Sequence, residues 1–312
     1  MNRFYKFASG VIVFCLSIFT PVFAADMAEK DESHILFRVG VTSSPMYTLA
    51  SALAYGSPVK ALLVEKNEQG LWDIPQNLTV LFWGGEVLEP QLTKILVESG
   101  QASVPLIDAA GLHQLARRTP AEWKKPGEDK DPHMESIGKG YGMVQTIRPE
   151  GDIDTYYWLD PLNAMAALEA MTMVLQGLDQ RNHWAYQANS DQIIQALWDL
   201  DIRINKSLHD VSSKPFLVLQ DEFQYLEQRY RLTTIPAGGS AENIVNKAKE
   251  RGAKCVVAAR PLDQHLKSVL DQADLNSIVL DPAGRQMPKT TGAYFEWFGN
   301  MTSSLKSCVT SL

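Results

Sequence analysis

The sequence predicts an α/β protein of two lobes. Each lobe holds a parallel-type sheet flanked by helices, and a long rigid helix joins the two, with a ligand cleft between them. Three observations lead there. Strand-like and helix-like patterns alternate along the chain, the signature of βα units and a parallel sheet. A helical run at mid-chain, residues 162–178, is apolar almost all round (Leu162, Met165, Ala166, Leu168, Met171, Met173, Val174, Leu175), and a helix patterned that way is buried on several sides. Comparable lengths of α/β-patterned sequence lie before and after it, which makes it a spine.

Taken in order, the chain opens with Arg3 and Lys6 ahead of an apolar stretch at 11–19, then Val22-Phe23-Ala24. This is the pattern of a secretory signal peptide, residues 1–24, cleaved after Ala24. The apolar stretch is too short to span a bilayer comfortably. Cys15 follows Phe14, where a lipobox requires Gly or Ala. The expectation is an exported, soluble, periplasmic protein.

Residues 35–41 read as a strand that runs into Thr42-Ser43-Ser44-Pro45 and a helix at 46–54. A strand at 59–64 precedes the turn-rich loop Glu65–Trp72. The apolar run 79–83 is a buried strand, broken by Gly84-Gly85 before a helix at 90–98, and 104–107 is a further short strand. From 118 to 154 the pattern dissolves into Pro, Gly, Lys, Asp and Glu. A loop of that length in a compact domain is functional or disordered. These segments make the first lobe, residues 25–159.

Tyr156-Tyr157-Trp158-Leu159-Asp160-Pro161 then launches the linking helix, 160–180. Asp160 suits the N-cap and Pro161 the first turn, where no backbone N–H is needed. A second long helix reaches about residue 209, with Ile193, Leu197, Leu200, Ile204 and Leu208 on one stripe. Strands at 215–219, 233–236, 255–258 and 277–280 alternate with helices at 223–230, 241–251, 263–273 and 293–308. They complete the second lobe, 181–312.

Composition narrows the function. The 312 residues are 45% hydrophobic and 21% charged, ordinary for a globular chain and long enough for two domains. A net charge of −7, with no basic stripe, argues against a nucleic-acid partner. No Gly-x-Ser-x-Gly, phosphate loop, His-Glu-x-x-His or activated Cys/His pair is present, so an enzyme is not expected. Cys255 and Cys308, the pair left after signal removal, are most simply a disulfide in an oxidising compartment; two buried thiols are the alternative. The histidines show no ligand spacing.

Ligands of open parallel sheets bind outside the carboxyl ends of the strands. Four such ends stand out: the loop Glu65–Trp72, the lip at Tyr156, Leu219-Gln220-Asp221 and Leu280-Asp281-Pro282. The phrases Trp158-Leu159-Asp160-Pro161, Gln220-Asp221-Glu222-Phe223 through Tyr230, and Asp281-Pro282-Ala283-Gly284 resemble periplasmic metal-binding proteins of zinc and manganese ABC transporters, the zinc-uptake branch above all. Val41-Thr42-Ser43-Ser44-Pro45, Trp83-Gly84-Gly85-Glu86 and the last helix from Tyr294 extend the resemblance over nearly the whole mature chain.

The resemblance implies two α/β lobes on a long helix, metal bound between them, a Cys255–Cys308 disulfide and an inner-membrane permease as partner. Carried over residue by residue, it puts Tyr156 and Gln220 where the family has histidines and leaves the loop Glu65–Trp72 without one. It keeps the carboxylate Asp281 and puts Ala259-Arg260 where a glutamate is often found. Zinc favours imidazole and thiolate, so a phenol, an amide and one carboxylate make a poor zinc site. The expected function is the periplasmic solute-binding subunit of a zinc-type ABC transporter, a monomer holding zinc, another divalent metal or a small solute. Candidate ligands are Tyr156, Gln220 and Asp281; candidate cleft-lining residues are Trp72 and Arg260. The alternatives are a divergent paralogue for a non-zinc cation or small polar organic molecule, and a ligand-free periplasmic accessory protein.

Overall fold

A computed structural model describes residues 37–118 and 152–311. The expected signal peptide, His34, His133 and most of the 118–154 segment lie outside the described residues.

The first lobe is β1 (Phe37–Val41), α1 (Ser44–Leu53), β2 (Val59–Leu63), β3 (Val80–Trp83), α2 (Pro90–Ser99), β4 (Ser103–Pro105) and α3 (Leu106–Ala109). Its four strands are parallel, in the order β2-β1-β3-β4. Leu106 and Ile107, expected in the last strand, open α3 instead. β4 has a single neighbour, β3, which ends at Trp83 opposite Pro105; beyond that point no ladder is available, and the helix satisfies the backbone.

Two long helices follow, α4 (Pro161–Leu178) and α5 (His183–Leu208). Asp160 caps α4 by accepting the Leu162 N–H at 2.9 Å, with Pro161 in the first turn. The second lobe is β5 (Phe216–Val218), α6 (Gln224–Tyr230), β6 (Thr234–Pro236), α7 (Ala241–Arg251), β7 (Cys255–Ala258), α8 (Gln264–Gln272), β8 (Asn276–Val279) and α9 (Ala293–Thr310). Its sheet, β6-β5-β7-β8, is again parallel and repeats the strand order of the first.

Alternation along each strand decides what each sheet face buries. Val39, Val41, Val80 and Phe82 of the first sheet point into the same core as Phe216, Val218, Cys255 and Val257 of the second. α1, α4, α5 and α9 fill the space between, so both lobes share one hydrophobic core. The outer faces are separate. Leu81 and Trp83 pack with Leu92 and Leu96 of α2, while Leu217 and Val256 pack under α7 and α8. Gly40 lies on the outer face because nothing larger fits: an added Cβ would sit 2.6 Å from Leu81 and 2.7 Å from Leu78.

The expected linker coincides with α4, which packs on α1, α3 and α5. The reach to both halves belongs to α5, which touches α1 on one side and α9 on the other. Asn189 of α5 adds hydrogen bonds to the Leu53 and Tyr55 carbonyls at 2.9 Å. A disulfide between Cys255 and Cys308 fastens β7 to α9, which resolves the alternative of two thiols.

Candidate functional site at the facing strand ends

Each sheet has its topological switch point between its first strand and its third, β1/β3 and β5/β7, and ligand crevices of α/β sheets open at such points. The carboxyl ends of the two sheets meet each other. Lys289, after β8, reaches Glu65, after β2, at 3.4 Å. The turn Asp281-Pro282-Ala283-Gly284 rests on Pro45 at the start of α1; Gly284 has φ +64°, and an added Cβ there would lie 3.2 Å from Pro45 Cγ.

The lip at Tyr156 is clamped by aromatic side chains. Trp158 Nε1 donates to the Pro282 carbonyl at 2.8 Å, the Tyr294 hydroxyl donates to the Trp158 carbonyl at 2.8 Å, and Trp297 Nε1 donates to the Asp281 carbonyl at 2.9 Å. The Tyr156 and Trp158 rings meet edge-on at 5.9 Å. Held this way, Tyr156 points its hydroxyl across to the second lobe and donates to Glu222 Oε2 at 2.9 Å. The other oxygen of Glu222 accepts from the Arg260 guanidinium. Gln220 Oε1 accepts the Ala259 N–H at 2.6 Å, closing the β5/β7 switch point. Burial, and then the Glu222 charge, push the Tyr156 phenol well above its ordinary range, so it is a neutral donor.

At the β1/β3 switch point Glu89 plays the part that Gln220 plays in the second sheet. Its Oε2 accepts the Gly84 N–H at 2.7 Å and the Thr42 hydroxyl at 3.1 Å, and burial raises its carboxyl. Beside the crevice, Arg118 binds Asp221 through Nε at 3.0 Å and through Nη2, and Glu227 through Nη1 at 2.8 Å. The chain around it forms a short antiparallel bridge, Ala116 opposite Ile153. Asp154 is 1% exposed and accepts the Tyr156 N–H at 2.9 Å. Burial raises its carboxyl to about 7, partly offset by that hydrogen bond, with Asp221 adding to the rise.

The family described as zinc-uptake complex component A, periplasmic (ZnuA) matches residues 76–308, most of the chain. The chain belongs to this family. Among the relatives of this ZnuA-family chain is the high-affinity zinc uptake system protein ZnuA of Brucella abortus (strain 2308), 26% identical over 304 residues, covering 87% of this chain and 91% of that protein. A crystal structure of ZnuA superposes with a TM-score of 0.65 at 14% identity, covering 88% of this chain and 99% of the other. The metal-dependent lipoprotein YcdH from Bacillus subtilis superposes at 0.67 with 17% identity, covering 88% and 100%. At such identities the two structures establish the fold alone.

Within this ZnuA-family fold the expected site residues part company. Tyr156 and Arg260 belong to one hydrogen-bonded chain through Glu222, and Gln220 makes a separate bond to the Ala259 N–H, next to Arg260 in the chain. Asp281 spends Oδ2 on the Gln286 N–H at 2.9 Å, which closes its own turn. Arg260 pairs with Glu222 rather than Asp281. Trp72, expected to line the cleft, packs instead over the outer face of the first sheet beside Leu62, Ile74 and Ile95, with Lys66 5.2 Å above its ring. The loop of Glu65–Trp72 turns back on itself through a Lys66–Trp72 bridge, and the indole joins the outer-face cluster.

Glu222 and Arg118 are hydrogen-bonded members of this candidate site that the sequence reading did not name as site residues. Glu222 stands two residues beyond Gln220 at the end of β5, a signal available in the chain. Arg118 sits where the pattern dissolves and offers none. Among the described residues, no group of three or more His, Cys, Asp or Glu is placed to hold a metal ion. None of the helices there is long and apolar enough to cross a membrane.

Proposed function

We propose that this ZnuA-family chain is the periplasmic solute-binding subunit of an ABC importer. It captures its ligand at the facing strand ends and delivers it, as a monomer, to an inner-membrane permease. One observation supports the reading above the others: side chains from both lobes converge on one crevice, Tyr156 from before α4 meeting Glu222 from after β5 at 2.9 Å. A ligand entering there would exchange contacts with groups of both lobes. Lobe motion would be small, because the two sheets share one core and cores are not continuously deformable.

The donors in the crevice favour the divergent reading over a bare zinc ion. A neutral phenol, a carboxylate already bonded through both oxygens and an amide whose oxygen is engaged suit a small polar solute better than zinc. The test uses untagged mature protein taken from periplasm. Native mass spectrometry is expected to show a co-purified small solute. The protein is also expected to stimulate the ATPase of the permease complex encoded with it. Absence of both would leave the fold as an accessory protein and overturn the importer reading.

A further inference from the structure

We propose that Arg260 sets the ligand class of this crevice: its guanidinium is a tethered cation holding the place at Glu222 that a metal ion would need, so the crevice takes no free divalent cation. The inference rests on the solute-binding reading and deepens it. Glu222 is a carboxylate 8% exposed, and a charge so far removed from water needs a fixed counter-charge. Arg260 supplies it. Tyr156 completes the coordination as a hydrogen-bond donor rather than as a phenolate.

The neighbouring groups point the same way. Gln220 commits its acceptor oxygen to the Ala259 N–H, and a neutral amide oxygen already accepting a hydrogen bond is a weak ligand that brings no charge to offset a cation's. Arg285, after β8, lies close enough for its charge to act on the Tyr156 hydroxyl. A divalent ion entering the crevice must break the Arg260–Glu222 bond and then sit beside a guanidinium. Like charges at such separations repel strongly in a partly dry site. The crevice rejects cations by occupying its own carboxylate.

Removing the tethered charge should convert Glu222 into a metal-accepting carboxylate. Arg260 is on the surface side of the pair, its side chain 57% exposed, so Arg260→Gln and Arg260→Ala are expected to fold; a melting curve for each checks this. Zinc sulfate is titrated into full-length mature protein, followed by native mass spectrometry and a competing zinc dye. The wild type and Arg260→Lys, which keeps the charge, are expected to hold no stoichiometric zinc at this site. Arg260→Gln is expected to gain about tenfold or more in zinc affinity, and the gain should vanish in Arg260→Gln/Glu222→Gln.

The inference is overturned if the wild type binds one zinc with the same affinity as Arg260→Gln, or if the gain persists without the Glu222 charge. ATPase stimulation by the wild type is scored separately. A chain that works with its permease yet binds zinc regardless of Arg260 therefore sinks this inference alone, whereas one that neither stimulates nor carries a solute sinks the importer reading.

Discussion

At the scale of single residues, charge placement governs this molecule. Asp154 is buried with Oδ1 on the Tyr156 N–H and Oδ2 without a hydrogen-bond partner among the described residues, and its carboxyl is raised to about 7. In the unfolded chain the same group ionises at about 3.9. Between these values the folded protein keeps a proton that the unfolded chain has released, so raising the pH through that window favours unfolding. Below it the penalty is absent; above about 7 it is complete. Asp154→Asn abolishes the titration and keeps an acceptor for the Tyr156 N–H. Its melting temperature is expected to climb relative to wild type from pH 4 to pH 8, by an amount equivalent to about 4 kcal/mol. A difference that stays constant with pH would show that Asp154 ionises normally.

The same scale shows what a residue list hides. Gln220, Tyr156 and Arg260 are each legible in the sequence as occupants of strand ends. Their partners are not, because Glu222 and Arg260 lie far apart in the chain and come together only when β5 and β7 pair. Trp72 shows the opposite failure: a strand-end position in sequence whose side chain joins the outer-face cluster.

At the scale of elements, the second lobe depends on how α9 is held. Cys255 is fully buried in the middle of its sheet, and Cys308 lies in the last turns of α9. Their disulfide closes a sequence separation of 53 residues, and a cross-link of that span restricts the unfolded chain by about 2–4 kcal/mol. Replacing both cysteines by serine is expected to lower the urea midpoint accordingly. The sulfurs are shielded in the native fold, so mild reductant should leave the native protein unchanged and act only once urea has begun to open it. Rapid reduction without urea would show that α9 frays from β7 on its own.

α4 and α5 divide a task that the sequence assigns to one helix. The all-round apolar pattern of α4 marks a buried helix correctly. Burial alone says nothing about which element reaches the far lobe, and the single stripe on α5 faces a core to which both sheets contribute.

At the scale of the whole molecule, the lobes are joined by a common core rather than by a flexible linker. Unfolding is therefore expected to be one cooperative transition, with near- and far-ultraviolet circular dichroism coincident in urea. Phe298, fully buried in α9 at the shared core, provides the local probe. Phe298→Ala should cost about 3–5 kcal/mol and move the whole transition. Two separated transitions, with only the second-lobe signal shifted in the variant, would mean that the lobes are independent domains.

The sequence by itself determined the βα alternation in both halves and the buried mid-chain helix with its Asp160-Pro161 start. These follow from local periodicity and capping, which a chain displays residue by residue. The tertiary structure decided the rest: that the two sheets repeat one strand order and share a core, that α5 spans both lobes, and that the crevice carboxylate is neutralised by an arginine of its own lobe. Such facts depend on which distant segments pair. Pairing is set by the simultaneous burial of whole faces and the mutual satisfaction of buried charges, and no local pattern records it.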